Sequence, residues 1–236
     1  MNVNVIGFEY SVRTSTRCKR ILLKISPTHG VEVVVPKGVS HAKAHVVVQN
    51  RKEWIENRLE RFRARGLPCG RSIPVPHRID LPSVGRRVRV EHHPGKGRSR
   101  VREHGDIVQV FSEEGESGAW KHLLMKWLKT QGRVHLVDWV QTVADETGLR
   151  YTSVRIGAQR TRWGSYSAKG TVSLNCRLLF FPAELVRYVL VHELCHSLHP
   201  DHSPRFRARL ESLISHSRDL EQELKQSWRY VPAWAA

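Results

Sequence analysis

At 236 residues, with 40% hydrophobic and 26% charged residues, the chain has ordinary globular composition and ample length to bury a core. No apolar run reaches the roughly eighteen residues that a membrane-spanning helix needs, the opening residues lack a charged-then-apolar leader pattern, and the scattered Cys18, Cys69, Cys176 and Cys195 form no disulfide framework, so a reducing, cytoplasmic setting is expected. Lys and Arg total 39 against 22 Asp and Glu, a net charge of +17, which raises nucleic acid as a partner.

Residues 20–25 ("RILLKI") and 31–35 ("VEVVV") read as two strands joined by the turn-rich "SPTHG". Residues 41–65 read as one helix, with Val47, Trp54, Ile55, Leu59 and Phe62 near helical spacing. The Pro- and Gly-rich stretch at 66–85 reads as irregular connection. "RRVRVEH", "SRVREH" and "DIVQVF" look like short strands, and "SEEGESG" at 112–118 is the best linker. From Ala119 to Thr147, Trp120, Leu123, Leu124, Trp127, Leu128, Val134, Leu136, Val137, Val140 and Val143 trace a long amphipathic helix with a candidate kink at Gly132. "TSVRIG", "TRWGSYS" and "TVSLNC" read as strands, the last either an edge to which a peptide could add or an ordinary internal strand. Pro182 opens a helix to about Leu198, and further helix fills 204–228. The reading is α+β: a β-rich N-terminal region over 1–118 with its helix at 41–65, then a catalytic region over 119–236.

The chemistry is concentrated in "VHELCHSLHPDHS", residues 191–203. His192 and His196 lie four apart in a helix, so they share a face and can share a metal ion. Glu193 between them can reach a metal-bound water without being a ligand, the HExxH arrangement of zinc hydrolases. This pattern alone arises in about one random chain in twenty. The surrounding Tyr188, Val189, Leu190, Val191, Leu194 and Leu198 strengthen it, because a carboxylate in so apolar a helix costs several kcal/mol unless it is paired. Candidates for the third ligand are His199, Asp201, His202, Glu211 and His216. Pro200 disfavours helix at His199, the chain should double back there through unusual backbone angles, and the HExxHxxxxxH spacing favours His202, with Glu211 the alternative. Cys195 reads as a small buried hydrophobe.

These motifs, together with "VVVPKGVS", "EWI", "IDLPSVG", "TRWGSYS", "GTVSLNCRLLFFP" and "DHSPRFRARLE", resemble the YgjP-like metallopeptidase domain family, relatives of SprT-like minimal zincins. The resemblance runs over most of the chain, so both regions could form one structural unit. It implies a zincin-like region, a small twisted sheet packed on the HExxH helix, with zinc at His192, His196 and His202 and Glu193 catalytic. The chain departs from the family at Tyr166, Cys176 and Arg207, which bears on substrate preference.

The function expected is therefore a zinc metallopeptidase that hydrolyses protein or peptide with a Glu-activated, zinc-bound water. Arg160, Arg162, Tyr166 and Tyr188 are candidate substrate or oxyanion contacts, and no organic cofactor is indicated. The alternatives are a nucleotide pyrophosphatase, with Arg155, Arg160 and Arg162 holding a triphosphate; a SprT-like protease acting on DNA-bound proteins; and a non-enzymatic zinc module that binds nucleic acid. Basic residues crowd 13–65 and 86–102, where Arg86, Arg87 and Arg89 could contact phosphates without sequence preference. Aromatic residues are not interleaved with them along the chain, as base stacking would require.

Overall fold

The computed structural model describes residues 2–5, 8–16, 18–26, 30–63, 73–95, 97–112 and 119–236. Residues 27–29 of the turn expected at 26–30, residues 113–118 of the linker expected at 112–118, and Cys69 lie outside these residues. The fold is α+β, and its contacts divide it into two compact units, one built on residues up to Pro74 and the other on Val75–Val231. Among the described residues no helix is long and apolar enough to cross a membrane.

In the first unit, β1 (Asn2–Val5), β2 (Phe8–Ser15), β3 (Leu22–Ser26) and β4 (Gly30–Pro36) form one sheet in the order β1-β2-β4-β3, with β2 and β4 parallel. Alternate residues Phe8, Tyr10, Val31, Val33 and Val35 turn to one face and are buried against Ala44, Val48, Ile55, Leu59 and Phe62. Those five come from α1 (His41–Asn50), capped by the Ser40 hydroxyl on the Ala42 N–H, and from α2 (Lys52–Arg63). The single helix expected over 41–65 is thus two, broken at Arg51 (φ −118°, ψ 15°). The β-branched run Val46–Val48 and Asn50 are poor helix formers and lie directly before the break. Trp54, expected on the apolar face, is 49% exposed.

The second unit starts with a sheet of β5 (Arg78–Leu81), β6 (Arg86–Pro94), β7 (Arg100–His104) and β8 (Ile107–Ser112), in the order β5-β6-β8-β7. β5 falls in the stretch expected to be irregular. A 3-10 turn over Pro82–Val84 links it to β6 and ends at Gly85, whose φ of +61° suits glycine. The inner face of this sheet, Ile79, Leu81, Val88, Val90, Val108 and Val110, is buried. The long helix α3 (Ala119–Thr147) packs against β7 and β8. Glu103 of β7 clamps the two together, accepting hydrogen bonds from Trp127 Nε1 and Gln131 Nε2, each at 2.8 Å, and pairing with Arg86. The strands at 78–112, expected with the N-terminal region, therefore share a unit with α3.

α3 runs unbroken through Gly132, where a Cβ would lie 2.9 Å from Ile156 Cγ2 and 3.3 Å from Cys176 Cβ. Glycine here permits close approach to β9 (Ser153–Gly157) and to the 3-10 helix Cys176–Phe180. With β10 (Gly164–Tyr166) and β11 (Thr171–Asn175), β9 forms a three-stranded sheet in the order β10-β11-β9. β11, read from sequence as an edge or an internal strand, is internal; β10 and β9 are the edges. Three helices complete the unit: α4 (Ala183–Cys195), α5 (Pro204–Leu213) and α6 (Ser217–Lys225).

Candidate metal centre

α4 begins directly after Pro182, and Leu185, Val186, Leu190, Val191, Leu194 and Cys195 are buried on it. His192 and His196 project from its last turn with ring centroids 5.3 Å apart. The amides of His196, Ser197 and Leu198 then bond to carbonyls three residues back, at 3.2, 2.9 and 3.1 Å, tightening the helix end into a 3-10 turn. The unusual backbone angle expected at His199 is not needed: no non-glycine residue among those described has positive φ. The tight turn, Pro200, and the Asp201 carboxylate accepting from the Ser203 N–H reverse the chain instead.

That reversal brings His202 Nε2 to 3.1 Å from His192 Nε2, and ligand nitrogens of His192, His196 and His202 all lie within 4.8 Å of one another. Of the other candidate ligands, Glu211 pairs with Arg218 at 2.8 Å, His216 with Glu184 at 2.6 Å, and Asp201 accepts from the Ser203 N–H, while the imidazole of His199 is not among the three that converge. The His199 carbonyl lies 3.0 Å from His196 Nδ1. This bond leaves His196 Nε2 free to coordinate. Phe206, at the start of α5, backs the cluster with its ring 4.7 to 5.0 Å from each imidazole.

Burial, followed by the neighbouring imidazoles, lowers the His192 pKa to about 4, and burial also lowers that of His196. Both rings are therefore neutral near pH 7, with lone pairs available. The Nε2 atoms of His192 and His202 face each other at 3.1 Å. A cation shared by their lone pairs would satisfy both, so the donor set fits a divalent metal.

Glu193 is only 8% exposed. Burial raises its pKa to about 7, against the opposing pull of the Arg162 charge and a hydrogen bond from the Tyr166 N–H. Its carboxylate lies flat against Gly164, where any Cβ would meet Glu193 Oε1 at 2.5 Å. Asn175, fully buried at the end of β11, donates to the Gln159 and Arg162 carbonyls at 2.8 and 3.1 Å and so pins the segment leading into β10. Neither Gly164 nor Asn175 stood out in the sequence, although both lie inside stretches that carry the family resemblance.

A cleft of about 510 Å³ opens beside the histidines, lined among others by Trp163, Tyr188, His192, His202, Phe206 and Glu221. Of the four candidate substrate contacts, only Tyr188 lines it. Burial, and then Glu221 and Glu193, push the Tyr188 phenol up to about 12, so it stays protonated. The Tyr166 hydroxyl is spent on the Arg150 carbonyl at 3.0 Å. Arg160 and Arg162 are exposed, and of the two it is Arg162 whose charge acts on Glu193.

Paired helix-borne imidazoles, a third from the returning chain and a buried carboxylate at their side are the makings of a metal-dependent peptidase. Residues 19–227 match the YgjP-like metallopeptidase domain, and the chain belongs to that family. The family implies a divalent metal and protein or peptide substrates. Among solved structures, the metallopeptidase zymogen of Pyrococcus abyssi abylysin is 25% identical, with a TM-score of 0.35 over 38% of this chain and 91% of that one. The metallopeptidase zymogen of Methanocaldococcus jannaschii jannalysin is 23% identical, with a TM-score of 0.35 over 38% and 93%. No curated protein matches the sequence.

Proposed function

We propose that the protein is a zinc peptidase in which His192, His196 and His202 hold the metal and Glu193 is the general base. The observation that carries this reading is the meeting of three imidazole nitrogens within 4.8 Å, next to a buried carboxylate whose pKa stands at about 7. Three imidazoles with an open fourth position suit catalytic zinc, whereas magnesium and calcium prefer oxygen donors. When bound, the metal would acidify a water and polarise the scissile carbonyl.

The remaining steps fall to side chains. Glu193, fixed between Gly164 and the Tyr166 N–H, takes the water's proton and returns it to the leaving amine. Phe206 backs the histidine cluster and also lines the cleft that receives the substrate. Tyr188, protonated and in that cleft, donates to the oxygen of the tetrahedral intermediate.

Metal analysis and casein hydrolysis test these assignments together. Purified protein should carry about one zinc per chain, lost in His202→Ala and kept in Cys195→Ala. Glu193→Gln should keep zinc and fold while turnover falls by about 10²–10⁴-fold, since an amide accepts no proton. Tyr188→Phe should lower kcat by about 10²–10³-fold with KM little changed. Full zinc in His202→Ala overturns the ligand set, and near-normal turnover in Glu193→Gln or Tyr188→Phe removes that residue from the mechanism.

A further inference from the structure

Away from the metal centre, the outer face of the sheet β5-β6-β8-β7 has no role in the chemistry described. Its inner residues alternate with outward ones, so Arg78, Arg87, Arg89, Arg100 and Arg102 all face solvent, and all five are exposed. The register sets Arg78 directly opposite Arg89. Like charges in that position destabilise a sheet. Asp80 offsets part of this, shared by Arg78 at 3.1 Å and Arg87 at 2.7 Å, and Glu91 takes Arg89 at 3.0 Å. Arg102 has no ion pair among the described residues.

The same register builds a stack that the linear sequence conceals. Phe111 of β8 is paired with His93 on one side and with Arg100 on the other. The His93 and Phe111 rings are 4.9 Å apart and 16° from parallel, and Arg100 Cζ lies 4.1 Å from the Phe111 centroid. The aromatic residues absent from between the arginines along the chain are supplied across the strands. At the free edge of β7 the face continues into a groove of about 550 Å³, lined by Arg98, Arg100, Arg102, Lys126 and Trp127 among others. Glu103, the carboxylate in that lining, is already committed to Arg86, Trp127 and Gln131. Arg86, expected to be among the phosphate contacts, is thereby turned away from the face; it also donates to Gln131 at 2.6 Å.

We propose that this face, with the β7 groove, binds single-stranded nucleic acid. Guanidinium groups match phosphate oxygens bidentately, and the face carries arginine at all five cationic positions. Unpaired bases stack on the exposed ends of the His93–Phe111–Arg100 column, which a duplex cannot do because its bases are hidden and an acidic peptide cannot do because it has none. None of these residues belongs to the metal centre, so the site stands whether or not the peptidase assignment does.

Fluorescence anisotropy with a labelled 20-nucleotide oligouridylate at about 50 mM salt tests it, with a 20-base-pair duplex and polyglutamate as competitors. The oligouridylate should bind more tightly than either competitor. Arg89→Glu with Arg102→Glu should weaken binding at least tenfold and flatten the salt dependence by about 1.4 log units per log unit of salt, roughly 0.7 for each phosphate no longer neutralised. His93→Ala, at an exposed position, should weaken oligouridylate binding about fivefold or more while leaving the affinity for inorganic polyphosphate unchanged. Lys43→Glu with Arg61→Glu, which removes the same charge from exposed positions on α1 and α2, should leave binding within about twofold. Absence of binding, equal weakening in the α1/α2 variant, no effect of His93→Ala, or polyglutamate binding as tightly as oligouridylate would each overturn the proposal. Circular dichroism of each variant confirms that the fold is intact.

Discussion

Gly164 decides where the Glu193 carboxylate can sit. Its φ is not in the left-handed region, so no backbone strain demands glycine; what demands it is the carboxylate, which would lie 2.5 Å from an added Cβ. Gly164→Ala must push Glu193 off the Tyr166 N–H, while the three histidines, anchored by α4 and the following turn, are untouched. Turnover should fall at least tenfold, since misplacing a catalytic group by about 1 Å costs up to 10²-fold. Zinc content should stay at the wild-type level. An alanine variant with unchanged kcat would show that the carboxylate's place against β10 is irrelevant. This residue also marks the limit of what the sequence makes legible. His192, Glu193 and His196 could be read because helical periodicity turns a spacing of four into spatial contact, and His202 because only a short turn separates it from them. Gly164, the Tyr166 N–H and Asn175 reach the site through pairing of β10 with β11 and packing of β10 on α4, which no periodicity in their own segments signals.

Among the elements, α3 was legible from its apolar spacing, and apart from Val134 and Val137 its expected inner positions are buried. Its glycine was not. A kink was the natural expectation, whereas Gly132 admits Ile156 and Cys176 against the helix backbone. On propensity alone Gly132→Ala would stabilise the helix by about 1 kcal/mol. A methyl group 2.9 Å from Ile156 Cγ2 instead overpacks the interface, at about 1–3 kcal/mol. The second effect is the larger, so the variant should melt a few degrees lower. In an Ile156→Ala background, which removes the clashing carbon, the same substitution should cost less or become stabilising. An equal drop in Tm in both backgrounds would rule out this steric clash as the cause. The strands were read less completely: β5 was hidden by the prolines around it, and the break between α1 and α2 by apolar spacing that continues across Arg51. At Arg51 local backbone preference prevailed over the wider pattern, whereas at β5 pairing with β6 prevailed over the local signal of the prolines.

For the whole molecule the dominant quantity is the charge of +17. Its exposed ion pairs offset little of the repulsion this creates. Arg218, paired with Glu211, remains 83% exposed, and Lys225, paired with Glu221, 68% exposed. Pairs of that kind contribute about 0–1 kcal/mol each and are screened by the same salt that screens repulsion. With cations in such excess, screening relieves more repulsion than it removes attraction. Raising sodium chloride from about 10 mM to about 0.3 M shortens the Debye length from about 30 Å to below 10 Å, and Tm should rise across that range. Lys43→Glu with Arg61→Glu lowers the net charge by four and should show a smaller rise, although it adds no buried contact. Chloride is the proper salt for the series, since sulfate would strengthen apolar burial as well. A Tm that falls with sodium chloride would mean that the exposed pairs outweigh the self-repulsion, and that the cations on the outer face of the β5-β6-β8-β7 sheet are already compensated before any polyanion arrives.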